Sequence, residues 1–155
     1  MKTVPKTETT SLDFSFSGSD FEVLNDRKQD SISDEGWFRY CLKNKANDDI
    51  IGNCAFKLKQ NNQHIAEIEV SISPIQQRKG YAKETASAII SFLFKNAKVN
   101  RIVKTVNAKN ETAIGLLRSL GFREEGYFIE NILVDGKWIN EYQFALLKSE
   151  WDLMN

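Results

Sequence analysis

The chain has 155 residues, of which 41% are hydrophobic and 27% are charged, as in an ordinary soluble globular domain. Its formal net charge is zero, which argues against a general nucleic-acid-binding protein. The two cysteines, Cys41 and Cys54, lack metal-ligand spacing, and no apolar run suits a signal peptide or a transmembrane helix. We therefore expect a single cytoplasmic domain over residues 1–155, without a metal and with neither nucleic acid nor membrane as a partner.

The first third of the chain carries weak secondary-structure signals. Residues 1–11 are polar, so we expect them to be frayed. Alternating apolar residues predict a first strand over 12–16, and residues 21–24 are interpreted as a helical turn. Ser33 is followed by two acidic residues, a pattern typical of a helix start, and predicts a helix over 33–42.

The remaining two thirds alternate clearly between strand and helix patterns. Strands are predicted over 50–59 and 65–73, and the polar turn 60–63 between them indicates a hairpin. The later predicted elements are a helix over 83–95, a strand over 101–106, a helix from Asn110 to Gly121, and strands over 122–134 and 137–147 around an Asp135-Gly136 turn. Strands outnumber helices and the middle alternates between them, which predicts a mixed α/β class.

The stretch from Gln77 to Ala82 lies between a predicted strand and a predicted helix. A loop in that position directs unpaired backbone N–H groups, together with the positive end of the helix dipole, at one point. Gly80 and Ala82 keep bulky side chains away from an approaching anion, while Arg78 and Lys79 add positive charge. The stretch therefore predicts a diphosphate-binding loop.

The charge distribution is uneven along the chain. Residues 76–110 contain eight Lys or Arg and one acid, Glu84, which suits an acidic ligand. Acidic residues are in excess before Gly36, which slightly favours a cationic partner.

Several short patterns occur in a fixed order along the last two thirds of the chain. They are Gln77-x-x-Gly80-x-Ala82 with Lys83-Glu84, Asn110-x-x-Ala113, and Leu120-Gly121-Phe122-x-x-Glu125-Gly126. Together they resemble the GNAT superfamily of N-acetyltransferases, and most of all its RimJ/RimL-like, ribosomal-protein acetyltransferase branch. The resemblance extends from about residue 50 to residue 151.

This resemblance implies a mixed, mostly antiparallel twisted sheet of about six to seven strands with helices on both faces. Acetyl-CoA would lie in a V-shaped cleft between two splayed parallel strands, 65–73 and 101–107. The family's pyrophosphate contacts map onto Gln77, Arg78, Lys79, Gly80, Tyr81 and Ala82, and its pantetheine contacts onto Ser71, Ile72 and Ser73. Asn110 matches a cofactor-holding position, although a plain helix N-cap explains it equally well.

Acetylation of an amine requires a group that accepts the amine proton. Glu67 and Glu69 are two residues apart on the strand that enters the loop, so they share one face of the sheet. Glu67 matches the acidic position common on this strand in the family, and Glu69 is the alternative base. The competing interpretation makes both of them ordinary solvent-facing residues.

Two positions depart from the family pattern. Leu117 stands where many relatives carry the tyrosine that protonates the leaving thiolate, and Ala113 stands where some carry serine. The resemblance implies an acetyl-CoA-dependent N-acetyltransferase that acts by direct attack in a ternary complex on a primary amine, from a protein N-terminus or a small molecule. The alternative is a non-catalytic acyl-CoA-binding sensor or interaction module. A monomer and a homodimer both remain open.

Overall fold

The computed structural model describes residues 14–25 and 36–155, and these form a seven-stranded mixed sheet with helices. The strands are β1 Phe21–Asn25, β2 Phe38–Asn44, β3 Ile50–Lys59, β4 Asn62–Ile72, β5 Arg101–Asn107, β6 Arg123–Val134 and β7 Lys137–Leu147. The α-helices are α1 Tyr81–Asn96, α2 Glu111–Ser119 and α3 Lys148–Met154, and a short 3-10 turn covers Pro74–Gln76. The prediction of one domain over residues 1–155 stays a prediction.

The order of strands in the sheet is β1-β2-β3-β4-β5-β7-β6. Every neighbouring pair is antiparallel except β4 and β5, which run parallel. The parallel pairing covers only three residue pairs, in which Ile65 lies opposite Arg101, Ala66 opposite Ile102 and Glu67 opposite Val103. Beyond these pairs the two strands separate. The predicted mixed α/β class and the predicted opening between two splayed parallel strands are therefore confirmed.

The two faces of β4 differ in character because its side chains alternate. Ala66, Ile68 and Ile72 are buried in the hydrophobic core, which also includes Ile89, Ile90 and Leu93 of α1. Ala86 of α1 and Leu117 of α2 line one small cavity together with Ile68, so both helices border this face of the sheet. Glu67 and Glu69 lie on the opposite face, as their spacing predicts.

Three predictions for the first third of the chain are contradicted at residues that the structure describes. Residues 21–24 belong to strand β1, and residues 38–42 of the predicted helix 33–42 belong to strand β2, which pairs with β1 and β3. Tyr40 and Leu42 are buried while Cys41 between them is not, a period of two that the neighbouring N-cap pattern obscured. Residues 1–13 and 26–35 lie outside the described residues, and Phe14–Phe16 are not part of a strand.

The predictions for the later elements are largely confirmed. Helix α1 starts at Tyr81, two residues before its predicted start, and β7 has the predicted limits. Asp135 and Gly136 have φ angles of 50° and 76°, which are the left-handed values that a type I′ hairpin turn requires. Helix α3 was not predicted. None of the helices in residues 14–25 and 36–155 has the length and hydrophobicity needed to cross a membrane.

The outer half of the β6–β7 ribbon is unusually apolar for an exposed surface. Its large exposed hydrophobic side chains are Tyr127, Phe128, Ile129, Ile132, Leu133, Val134 and Trp138. The inner part of β7 is buried instead, at Phe144, Ala145 and Leu146.

Candidate active site

The loop between β4 and α1 has the backbone geometry of an anion-binding turn. Arg78 and Gly80 both have left-handed φ angles, 66° and 83°, and α1 begins directly after Gly80. Glu84 N donates to Gly80 O at 3.0 Å, so the N–H groups of Tyr81 to Lys83 precede the first bond of the helix. A methyl group on Gly80 would meet no atom within 4 Å, so the φ angle, not crowding, accounts for glycine here.

Two side chains hold this loop in place. Gln77 Nε2 donates to Ile72 O at 3.0 Å, which joins the loop to the end of β4. Lys79 Nζ donates to Gln76 Oε1 at 2.9 Å. Both contacts lie within the loop or at its base, so these residues shape the turn itself.

A groove of about 620 Å³ runs from the end of β4 past the loop to α2. Eight of the ten predicted cofactor-binding residues line it: Ser71, Ile72, Gln77, Arg78, Gly80, Tyr81, Ala82 and Asn110. The other two, Ser73 and Lys79, are not among its lining residues; Ser73 instead bonds the backbone of Ile51 through both its N–H and its hydroxyl. Val70, Ala113 and Leu116 add an apolar wall to the groove.

The groove continues toward the opening between β4 and β5. A smaller cavity of about 70 Å³ shares Val70, Ala113 and Leu116 with it. That cavity in turn shares Ile68 and Lys104 with a third one, of about 240 Å³, which is also lined by Trp37, Glu67, Glu69, Val103 and Thr105. The three cavities therefore adjoin one another from one face of the sheet to the other, where β4 and β5 cease to pair.

Glu67 and Glu69 both border the third cavity and have basic neighbours on β2 and β3. Lys57 Nζ lies 3.9 Å and Lys59 Nζ 4.0 Å from the carboxylate of Glu67. Arg39 Nη1 lies 3.8 Å from the carboxylate of Glu69. The two carboxylates are thus partly exposed at the opening and are not isolated from positive charge.

Asn110 and Tyr81 have structural contacts in the groove. Asn110 Oδ1 accepts a hydrogen bond from Ala113 N at 3.1 Å, which confirms the predicted N-cap of α2. Tyr81 is buried, and its hydroxyl donates to Asp20 Oδ2 at 3.0 Å. This bond raises the pKa of Tyr81, so the phenol keeps its proton more firmly than a free tyrosine does.

The sequence did not reveal the contact between the N-terminal segment and the start of α1. Ser19 donates to Glu84 through both its N–H, at 2.6 Å, and its hydroxyl, at 3.0 Å. Glu84 is the single acid in the basic stretch 76–110, a signal that could have indicated a specific partner. Nothing in the local pattern pointed to Ser19, because the two residues are 65 positions apart.

Trp37 is a further residue at the site. Its ring borders the cavity of Glu67 and Glu69. Lys57 Nζ lies 5.0 Å and Arg39 Cζ 5.8 Å from the ring centroid, distances typical of cation–π contacts.

Comparison with known proteins relates the chain to one family. Residues 15–123 match the family described as Acetyltransferase (GNAT) domain. The uncharacterized N-acetyltransferase YnaD of Bacillus subtilis is 35% identical over 105 residues, which are 68% of this chain and 61% of that protein. The ribosomal protein uS5-alanine N-acetyltransferase of Escherichia coli is 30% identical over 104 residues, 66% of this chain and 54% of that protein. The chain thus spans a little over half of the length of these relatives.

Among solved structures, the spermidine N-acetyltransferase of Vibrio cholerae in complex with CoA and spermine has the same fold. It superposes with a TM-score of 0.69 at 24% identity, over 80% of this chain and 72% of that chain.

Proposed function

The chain belongs to the GNAT acetyltransferase family, and we propose that it transfers the acetyl group of acetyl-CoA to a primary amine. The observation that carries the proposal is the opening between β4 and β5. On one face of the sheet it adjoins a groove with an anion-binding loop, and on the other it adjoins a cavity with two carboxylates. A donor and an acceptor can therefore approach the same point from opposite faces.

The groove has the chemistry that an elongated, polyanionic thioester requires. The N–H groups at the start of α1, with the side chains of Arg78 and Lys83, would hold the pyrophosphate. The apolar wall of Val70, Ala113 and Leu116 suits the pantetheine arm. Acetyl-CoA, when bound, supplies an activated acetyl thioester, and the Vibrio cholerae relative was solved with CoA.

The backbone of β4 contributes to the same opening. Beyond Glu67 this strand no longer pairs with β5, so its N–H groups on that edge are not used by the ladder. They are available to donate to a carbonyl oxygen that becomes negative during the reaction. Fixed dipoles of this kind supply much of the barrier reduction in acyl transfer.

Glu67, or Glu69 as the alternative, accepts the proton of the amine directly or through a water molecule. The neutral amine then attacks the carbonyl carbon in a ternary complex, without an acyl-enzyme step. The nitrogen loses a second proton as the amide forms, and a water molecule carries that proton to the leaving thiolate, because Leu117 is buried and apolar and the hydroxyl of Tyr81 is bonded to Asp20.

A second candidate function is a non-catalytic acyl-CoA sensor or interaction module. Leu117 and Ala113 favour it, because neither can act as the acid at the positions that they occupy. It predicts that CoA binds in the same groove and that no amine is acetylated.

The experiment that tests the proposal follows free thiol release from acetyl-CoA with a panel of amines, peptides included. We expect Glu67→Gln to lower kcat by about 10²- to 10⁴-fold if Glu67 is the base, with CoA affinity unchanged by calorimetry. Glu69→Gln gives this loss instead if Glu69 is the base. Glu124→Gln, an exposed position on β6, is the matched control. Tight CoA binding without turnover of any amine would leave the sensor as the function.

A further inference from the structure

The face of the sheet that carries Glu67 and Glu69 has three neighbouring cavities. One of about 430 Å³ includes Arg39 and Asn53, the central one of about 240 Å³ includes both glutamates, and one of about 510 Å³ includes Lys57 and Lys59. Among the described residues that line them, the basic side chains are Arg39, Lys57, Lys59 and Lys104, and the acidic ones are Glu67 and Glu69. Within the described part of the chain, the walls of these cavities therefore carry more positive than negative charge.

The positive charges are held at the site by specific contacts. Arg39 and Lys57 both lie over the ring of Trp37 and also approach Glu69 and Glu67. Lys57 lies near one carboxylate oxygen of Glu67, and Lys59 lies 4.0 Å from the other. Because Glu67 already has two basic neighbours and Glu69 has one, these carboxylates do not offer an unoccupied site for a second ammonium group.

We infer that the preferred acceptor is a primary amine that carries an anionic group, a carboxylate above all, close to the amine. The inference rests on the proposed acetyltransferase function and adds the acceptor class. An acceptor carboxylate would pair with Lys57 or Lys59 while its amine lies beside Glu67. A polyamine would instead place a further positive charge near Arg39, Lys57 and Lys59, which repel it.

This inference reverses the slight preference for a cationic partner that the acidic N-terminal third suggested. Of the acids in that part, the structure describes Asp20 and Glu22. Asp20 accepts a hydrogen bond from Tyr81, and Glu22 lies 3.2 Å from Lys43. Both therefore contribute to the fold at positions away from Glu67 and Glu69.

The test compares matched acceptors under the thiol-release assay. The first pair is two C-terminally amidated peptides, Ala-Glu-Gly and Ala-Gln-Gly, whose amines are alike and whose second residues differ in charge. The second pair is phosphoethanolamine and ethanolamine. It tests whether an anionic group also favours acetylation when the acceptor is a small molecule and not a peptide. Spermidine is the cationic comparison.

We expect kcat/KM to be about tenfold higher for the acidic peptide than for its neutral partner, and lower still for spermidine. Added salt reduces this ratio because it screens the charges. In the double variant Lys57→Gln, Lys59→Gln the ratio falls toward one, whereas Lys95→Gln at the far end of α1 leaves it unchanged. A folding defect in the double variant would lower kcat/KM for both peptides alike and would therefore leave their ratio unchanged.

The two levels of the proposal fail in different ways. Absence of thiol release with every amine removes the acetyltransferase function itself. Turnover of spermidine or of the neutral peptide at least as fast as that of the acidic peptide overturns only the acceptor class. An unchanged ratio in the double lysine variant overturns it as well.

Discussion

At the scale of single residues, the interior of α1 contains one polar atom without a partner. Thr85 is 0% exposed, and its hydroxyl makes no hydrogen bond. Burying an unpaired hydroxyl costs free energy because its bonds to water are lost and not replaced. Valine has the same shape without the hydroxyl, so this position offers a direct measurement of that cost.

We expect Thr85→Val to raise the free energy of unfolding by about 1 kcal/mol, since the two residues have similar helix propensities. Urea denaturation of the purified protein measures the change. Thr112→Val, at an exposed position in the first turn of α2, is the control and should change stability by less than about 0.5 kcal/mol. A loss of stability in Thr85→Val would mean that the hydroxyl has a favourable role.

At the scale of elements, Glu125 joins strands from two parts of the sheet. Its carboxylate accepts bonds from both terminal nitrogens of Arg101 on β5, one at 2.8 Å, and from Arg123 on β6 at 3.0 Å. Arg123 also donates to Glu150, whose carboxylate accepts from Leu147 N at the start of α3. One small network therefore connects β5, β6 and α3.

The network lowers the pKa of Glu125 from 4.5 to about 2, chiefly through the hydrogen bonds from Arg101. A carboxyl group whose pKa is lower in the folded state stabilises that state above its unfolded pKa. The contribution is lost as the pH falls from 4.5 toward 2.

We expect Glu125→Gln to lower the free energy of unfolding by about 1–3 kcal/mol at pH 7, because charged hydrogen bonds are replaced by neutral ones. The difference in the free energy of unfolding between the variant and the unmodified protein should fall to about half at pH 3, because Glu125 becomes protonated as the pH falls. Urea denaturation at both pH values measures it. Glu124→Gln, which removes an exposed ion pair with Arg118, is the control. If the stability difference between Glu125→Gln and the unmodified protein did not depend on pH, the proposed role of the network would be contradicted.

At the scale of the whole molecule, Phe14, Phe21 and Val23 of the segment 14–25 are part of the hydrophobic core. Phe14 packs against Tyr40 and Phe92, with ring centroids 5.3 Å apart in both pairs. Phe21 lies 5.4 Å from the ring of Tyr81 at the start of α1, next to the anion-binding loop. The segment that precedes the recognisable motifs therefore supports the groove that those motifs form.

We expect Phe21→Ala to lower the free energy of unfolding by about 3–5 kcal/mol, because Phe21 is 0% exposed and its removal leaves a cavity. Phe128→Ala, at a ring that is 38% exposed on the β6–β7 ribbon, should lose less than about 1.5 kcal/mol. Denaturation curves of both variants test this comparison. Equal losses would indicate that the N-terminal segment contributes no more to the core than the ribbon does.

Local sequence patterns predicted the strands and α-helices from β3 to β7 because their signals are short-range. Asn110 could be assigned as an N-cap, and Asp135-Gly136 as a hairpin turn, from the conformations that these residues favour. The same reasoning failed for β2, where aromatic residues pack on a strand between two others. The pairing of β2 with a strand on each side determines its conformation, and no local sequence pattern gives information about that pairing.

The features of the candidate site also fall into two groups, those that the local sequence predicts and those that only the tertiary structure shows. The turn at Gly80, the helix behind it and the shared face of Glu67 and Glu69 follow from the sequence, since each depends on backbone preference or on a period of two. Tertiary structure alone brings Trp37, Arg39 and Lys57 beside the two glutamates and ties Ser19 to Glu84. These contacts join residues that are distant in the chain, so they depend on how the strands are ordered in the sheet. Under the proposed function, the loop indicates the donor, and the packing of β2 and β3 against β4 determines what the acceptor meets.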